Sequence, residues 1–268
     1  MTLFRLGAER RAMTGAAGFV RHIALRPLQR SLRLLALATT LGSLPAAAAT
    51  LQISPVNAEF AAKQNAIGMT LSNPGDTIVY GQVRIYTWTQ ADGQDKLTPT
   101  DAIAASPPIL RIEPGSSQII RLVRVTNTPP ATEQSFRLLV DELPEPGQPA
   151  QSGITINMRY SIPVFVAPPT VPAKPDLRFT LKRIDGAWHL EANNLGGTRA
   201  QIGASSLVDA AGKTHPLTSG LLGYALAGQR RAFKVSWPVG KPPASPLTLD
   251  AAINTVPTRF VVNIDGGG

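Results

Sequence analysis

The chain contains no cysteine in 268 residues. That excludes disulfides, a thiol nucleophile and a cysteine lipid anchor. It leaves the compartment open, since a disulfide-free protein folds in an oxidising space as well as in a reducing one. Histidine is nearly as scarce: His22, His189 and His215 are all there is. No motif gives His189 or His215 a serine, aspartate or cysteine partner, so each reads as a surface or turn residue. The G-x-S-x-G elbow, the G-x-G-x-x-G fingerprint and the P-loop are missing. No cluster of His, Asp or Cys has metal-ligand spacing, so no metal or other cofactor is expected. Asp141 and Glu142 are adjacent acids at a strand end, where such pairs are usually solvated, and a glycosidase has little to stand on. The expectation is a protein that is not an enzyme.

Long apolar runs are also rare. Residues 34–44 form the most apolar stretch near the N-terminus, too short for a comfortable membrane span. A basic region ending at Arg33 precedes it, and Pro45 followed by four alanines succeeds it. Charged region, apolar core and small-residue cleavage site together describe a secretory signal peptide over residues 1–49. Cleavage is expected near Ala47, Ala48 or Ala49, with the mature chain beginning around Thr50 and the true start at Met1 or Met13. An uncleaved anchor helix is the alternative; stable membrane insertion is not expected. The leader also explains the charge. Seven arginines and one acid fall within residues 1–49, so of the formal +9 only +3 remains on the rest. A nucleic-acid partner is therefore not indicated.

Proline and glycine, by contrast, are abundant, 24 and 23 residues spread along the whole length. With 43% hydrophobic residues in many short runs, the chain reads as all-β. Runs over residues 51–56, 67–71, 78–89, 106–112, 118–125 and 136–143 are separated by turn signals such as Asn73-Pro74-Gly75-Asp76 and Asp92-Gly93. The most informative run is residues 153–166. Ile154, Ile156, Met158, Tyr160, Ile162, Val164 and Val166 alternate with mostly polar or turn-compatible residues, the period of a strand. As one strand it would reach about 40 Å, longer than average. Pro163 cannot donate to a ladder, which places that part at a sheet edge. Long edges with large apolar faces are normally blunted. This one is not, and it is the candidate working part.

These seven strands in residues 50–168 have the count and spacing of an immunoglobulin-like sandwich. Residues 169–175 form a proline-dense linker. Residues 176–268 make a second, smaller β-sandwich, with a strong hairpin turn at Asp185-Gly186 and strand patterns around Leu177, Trp188, Leu207, Phe233 and Arg259. A short stiff linker implies an L-shaped pair with a shared cleft.

The order of several short segments resembles the periplasmic pilus chaperones, the PapD-like proteins of chaperone–usher pathways. Those segments are Ser106-Pro107-Pro108-Ile109 before a Pro-Gly turn, Asp141-Glu142-Leu143-Pro144 ending a strand, and Arg159-Tyr160-Ser161-Ile162-Pro163-Val164-Phe165 after a variable loop. Ile53-Ser54-Pro55-Val56 and Tyr86-Thr87-Trp88 are similar to the archaic or spore-coat-U-type branch. The resemblance is strongest over residues 82–168 and weak in the second sandwich. It implies a chaperone that lends a strand to secreted pilus subunits and passes them to an outer-membrane usher, with a possible self-capping dimer in between. Ile154, Ile156, Met158 and Tyr160 would be the lent set, filling successive pockets while the strand backbone pairs with the client. Ile162, Val164 and Val166 are expected in the chaperone's own core. In the better-known branch, basic residues on the first and last strands of the first domain clamp the subunit's C-terminal carboxylate. The matching positions here are Pro55 and Pro163, which cannot. Arg159 is the first substitute, then Arg84 and Arg111. The competing reading is a secreted two-domain adhesin or cell-surface binding module with no folding role.

Overall fold

The computed structural model describes residues 51–147, 156–169, 174–237 and 243–265. The leader, Ile154 and most of the proline linker lie outside these residues. Every element described is a strand. The first sandwich opposes a four-stranded sheet, in the order β1 (Gln52–Ser54), β3 (Ala66–Ser72), β8 (Ser117–Arg124), β6 (Ile103–Ser106), to a six-stranded one. The larger sheet runs β2 (Ala58–Phe60), β10 (Arg159–Val166), β9 (Gln134–Leu143), β4 (Val79–Ala91), β5 (Gln94–Pro99), with β7 (Ile109–Ile112) also on β4.

Alternation drives this arrangement. Met69 and Leu71, Ile120 and Leu122, Leu138 and Val140, and Ile162 and Val164 all point into one apolar core. Gly68, Arg121 and Ser161, beside them in sequence, are exposed, whereas Leu139, Pro163 and Phe165 are covered on the other face of the larger sheet. The chain changes sheets between β1 and β2, through Pro55, which has no N–H to leave unpaired at the crossing. Asn73 lies buried at the turn after β3, donating to the Thr77 and Ile112 carbonyls and accepting from the Gly75 N–H.

The second sandwich has its own core. Its strands run β14 (Thr214–Thr218), β13 (Ala200–Val208), β17 (Leu247–Ile253), β18 (Val256–Asp265), β11 (Leu177–Ile184), β12 (Ala187–Asn194), β16 (Arg230–Lys234), with β15 (Gly223–Ala225) on β13. Asp185 and Gly186 both take positive φ between β11 and β12, as the Asp-Gly signal predicts for a tight hairpin.

The structure differs from the sequence expectation at three places. Among the described residues the first block has ten strands rather than seven: β2, β5 and β6 are short or, in β5, exposed at every position, and so carry little or no periodicity. β17 is unassigned from sequence although Leu247, Leu249, Ala251 and Ile253 alternate; β14 and β15 are too short to read. Last, the strand expected over residues 153–166 begins only at Arg159.

Candidate functional site

β10 is paired unequally on its two sides. Antiparallel β9 accompanies it throughout, from Arg159 opposite Asp141 to Val166 opposite Gln134. Parallel β2 joins the other side only from Val164 to Val166. Along residues 159–163 that second side has no strand partner among the described residues. Pro163 therefore stands where the open edge ends, as its missing N–H suggests. Val164 and Val166 are fully buried and Ile162 nearly so, in line with the expectation for them.

Ahead of this edge the chain leaves the sheet. Ile156 is 75% exposed and Met158 41%, a pair of apolar side chains with no core to enter. Tyr160 behaves differently. Its ring packs against the first core, and its hydroxyl accepts from the Leu51 N–H (3.0 Å) while donating to Glu142 Oε1 (3.0 Å). Burial, then the neighbouring Glu142 carboxylate, pushes the phenol up to about 12. Glu142 also receives the Met158 N–H on Oε2 at 3.2 Å. Tyr160 is thus fixed to its own sandwich more firmly than the alternation alone suggests.

The three arginines lie on the outward side of the larger sheet. Arg84 Nη2 donates to Asp141 Oδ2 at 2.5 Å, and Arg159 Nε donates to the other oxygen of the same carboxylate. Burial alone would raise the Asp141 carboxyl, but these two guanidinium groups outweigh it and hold it below the usual range. Asp141 and Glu142 are therefore not the solvated pair the sequence suggests; both are committed to specific donors. Arg111 sits farther along, on β7, beside Tyr80 and bonded to Glu113. The structure brings Arg84 and Arg159 together but leaves Arg111 apart.

A fourth arginine escaped the sequence reading. Arg137 on β9 stands directly opposite Pro163 in the ladder. Its guanidinium lies 3.7 Å from the centre of the Trp88 ring and 5.7 Å from that of Tyr224. Burial lowers its pKa, with Tyr224 and Asp95 opposing from a distance, and no carboxylate forms an ion pair with it among the described residues. It borders a cleft of about 450 Å³ between the sandwiches, bounded also by Val56, Pro163, Leu221 and Arg231. Arg231, unlike Arg137, is occupied by the Gly93 carbonyl, Gln94 and Asp95. Only the fold reveals Arg137, because its significance comes from register opposite Pro163 and not from any motif.

Behind the cleft, Trp88, Phe165 and Leu226 make a third small core shared by the two sandwiches. Arg199 lies over Phe165 and pairs with Glu133, whose carboxyl burial pushes up against the opposing pull of Arg199. His215, on β14, has an aspartate after all: Asp209 is 2.8 Å away, but across a single hairpin in the second sandwich and remote in sequence from the strand edge.

Residues 50–172 match the family model for the pili and flagellar-assembly chaperone PapD N-terminal domain. Chaperone protein PapD of Escherichia coli is 22% identical over 150 residues, 53% of this chain, and the match spans 61% of PapD. Among solved structures, the chain is similar to the complex of the chaperone CsuC with the tip adhesion subunit CsuE, from the archaic chaperone–usher Csu pili of Acinetobacter baumannii. That match has a TM-score of 0.64 at 24% identity, covering 81% of this chain and all of the other. The Salmonella enterica SafA pilin in complex with the SafB chaperone gives 0.56 at 17% identity, covering 80% of this chain and 97% of the matched one. These likenesses fix the fold as two immunoglobulin-like sandwiches.

Proposed function

We propose that the N-terminal sandwich belongs to the PapD family of pilus chaperones, whose model it matches over residues 50–172, and that the chain is a periplasmic chaperone of a chaperone–usher pathway. Its client is a secreted pilus subunit, an incomplete sandwich lacking one strand, which it holds until an outer-membrane usher accepts it. The leader over residues 1–49 carries it across the inner membrane and is removed.

The observation that carries this reading is the open edge of β10 at residues 159–163, continued by the exposed Ile156 and Met158. An incomplete sandwich exposes unpaired backbone and a strip of core. A strand that lends both N–H and C=O groups and alternate apolar side chains satisfies each deficiency at once. Burying Ile156 and Met158 in client pockets contributes roughly 1.5–3 kcal/mol apiece before ordering costs, enough to hold a subunit and still release it. Ile154 extends the same alternation. Tyr160 roots the strand in the chaperone.

Arg137 is the anchor for a client's C-terminal carboxylate that best fits the cleft. It is a partly buried cation without an ion-pair partner among the described residues, directly beside the open edge. Arg84 and Arg159 are second choices, since each must first give up Asp141; Arg111, with Glu113 and farther away, is third.

Ile156→Asp tests the core of the reading. An exposed lending residue contributes little to its own domain, whereas a carboxylate forced into a client pocket costs several kcal/mol. Capture of a co-expressed subunit should be lost with the thermal midpoint unchanged. Val164→Asp should instead unfold the protein. Full capture by Ile156→Asp, or unfolding as severe as that of Val164→Asp, would end the account.

A further inference from the structure

Where the chain peels away from β9, one side chain takes a backbone bond. In a regular antiparallel ladder, Glu142 and Met158 form the next pair beyond Asp141 and Arg159, and each would exchange both backbone bonds with the other. Half of that exchange is present: the Glu142 N–H donates to the Met158 carbonyl at 2.9 Å. The other half is diverted. The Met158 N–H goes to the Glu142 carboxylate, Oε2 at 3.2 Å. The strand ends there, and the apolar side chains of Ile156 and Met158 stand out in solvent.

The carboxylate is itself held in place. Its other oxygen accepts from the Tyr160 hydroxyl, and that hydroxyl accepts from the Leu51 N–H. Leu51 is buried in the first core, so the relay is tied to the rigid body of the sandwich at one end and to the root of the exposed segment at the other. A carboxylate that merely neutralised a neighbour would need none of this. Here it accepts from two donors that both belong to the segment's root, and neither is charged.

We propose that Glu142 is a positioning residue: by taking the Met158 N–H on its side chain, it turns residues 156–158 off the chaperone's own sheet and presents them to a client strand. The role rests on the strand-lending function proposed above. Without Glu142 the segment is free to extend the ladder on β9 or to fray, and either alternative lowers the fraction of molecules ready to bind.

Glu142→Ala and Glu142→Gln separate positioning from general stability, because the glutamine carbonyl oxygen still accepts the Met158 N–H and alanine cannot. The readouts are amide hydrogen exchange at Met158 in the free protein and capture of a co-expressed subunit. Glu142→Ala should change the Met158 exchange rate and weaken capture about tenfold or more, the scale of one hydrogen bond to a charged group. Glu142→Gln should restore both most of the way. Tyr160→Phe keeps the ring in the core but removes the hydroxyl that holds the carboxylate, so it should fall between the two; it also decides the matter if Glu142→Ala does not fold. Capture by Glu142→Ala at the wild-type level overturns the proposal, as does a glutamine variant no better than alanine, or weakened capture with Met158 exchange unchanged. A wild-type protein that captures no subunit overturns the functional reading instead, and the exchange rates alone then decide whether Glu142 holds Met158.

Discussion

Pro55 and Pro163 occupy the positions that the resemblance gives to basic clamp residues, and in the function proposed above Arg137, one strand away, takes that role. Arg137 lies across the ladder from Pro163, so its guanidinium reaches the same side of the sheet and the same cleft. Stacking on Trp88 orients it without consuming its N–H donors, which is what a site for a planar carboxylate requires. Partial burial raises the value of each bond it makes, and the cost of keeping it unpaired falls on the free chaperone. Arg137→Gln should therefore weaken capture by about 10- to 100-fold, the range for charge-assisted hydrogen bonds, and leave folding nearly unchanged. The check is a titration with a client carrying a free C-terminus and with the same client extended by a few residues. The variant should lose affinity only for the first. Equal losses for both would mean that Arg137 packs against the client and does not bind its carboxylate.

At the scale of strands, legibility from sequence followed side-chain contrast. β4 and β8 alternate apolar and polar residues over several positions and were readable because one face of each is more buried than the other. β9 and β10 kept a readable alternation although residues 138–140 and 162–166 are buried on both faces. The strand ending at Val166 was also legible, together with the open edge that stops at Pro163; that it is lent to a client is the proposal made above. Its starting point was not legible, because nothing in the pattern of Ile154, Ile156 and Met158 says that a glutamate from β9 ends the pairing. The roles of Asp141 and Glu142 were missed for the same reason: their partners lie on β4 and β10, brought near only by register. Asp141 now separates the candidate anchors. If Arg84 or Arg159 bound a client carboxylate, Asp141 would compete with it, and Asp141→Asn would tighten capture. With Arg137 as anchor, Asp141→Asn should leave capture unchanged. Its effect on stability is small, about 0.5–1 kcal/mol at neutral pH, since both arginines are substantially exposed. The sign follows from the lowered carboxyl: the ionised pair stabilises above the ordinary value of 3.8 and that contribution fades as pH falls through the lower folded value. Thermal midpoints measured from neutral to acid pH should accordingly converge for wild type and Asp141→Asn at the acid end.

The cleft exists only if the two sandwiches keep their relative placement, and several contacts other than the linker hold it. Gln90 reaches from β4 to donate to the Tyr224 carbonyl and accept from the Leu226 N–H, filling a polar slot beside the shared aromatic core. The Ala232 N–H donates to the Gly93 carbonyl at 2.9 Å, and the Glu133 N–H to that of Gly197 at 3.1 Å, so backbone meets backbone at two places. Gly93 is the tightest of these contacts. It has a φ of +70°, and a Cβ there would stand 2.9 Å from that of Ala232 in the other sandwich. Gly186 offers a matched comparison: it follows an aspartate in the same kind of hairpin turn, has a φ of +77°, and a Cβ there would meet nothing within 4 Å. Alanine at either position incurs the backbone cost of the left-handed region, about 1–2 kcal/mol. Only at Gly93 does it also wedge the sandwiches apart. Gly186→Ala should lower the thermal midpoint modestly and leave one cooperative transition and full capture. Gly93→Ala should split calorimetric unfolding into two transitions, one for each core, and weaken capture of a client that depends on Arg137 at the junction. If Gly93→Ala melts and captures as Gly186→Ala does, the junction tolerates displacement and the cleft is not built by rigid docking of the two sandwiches.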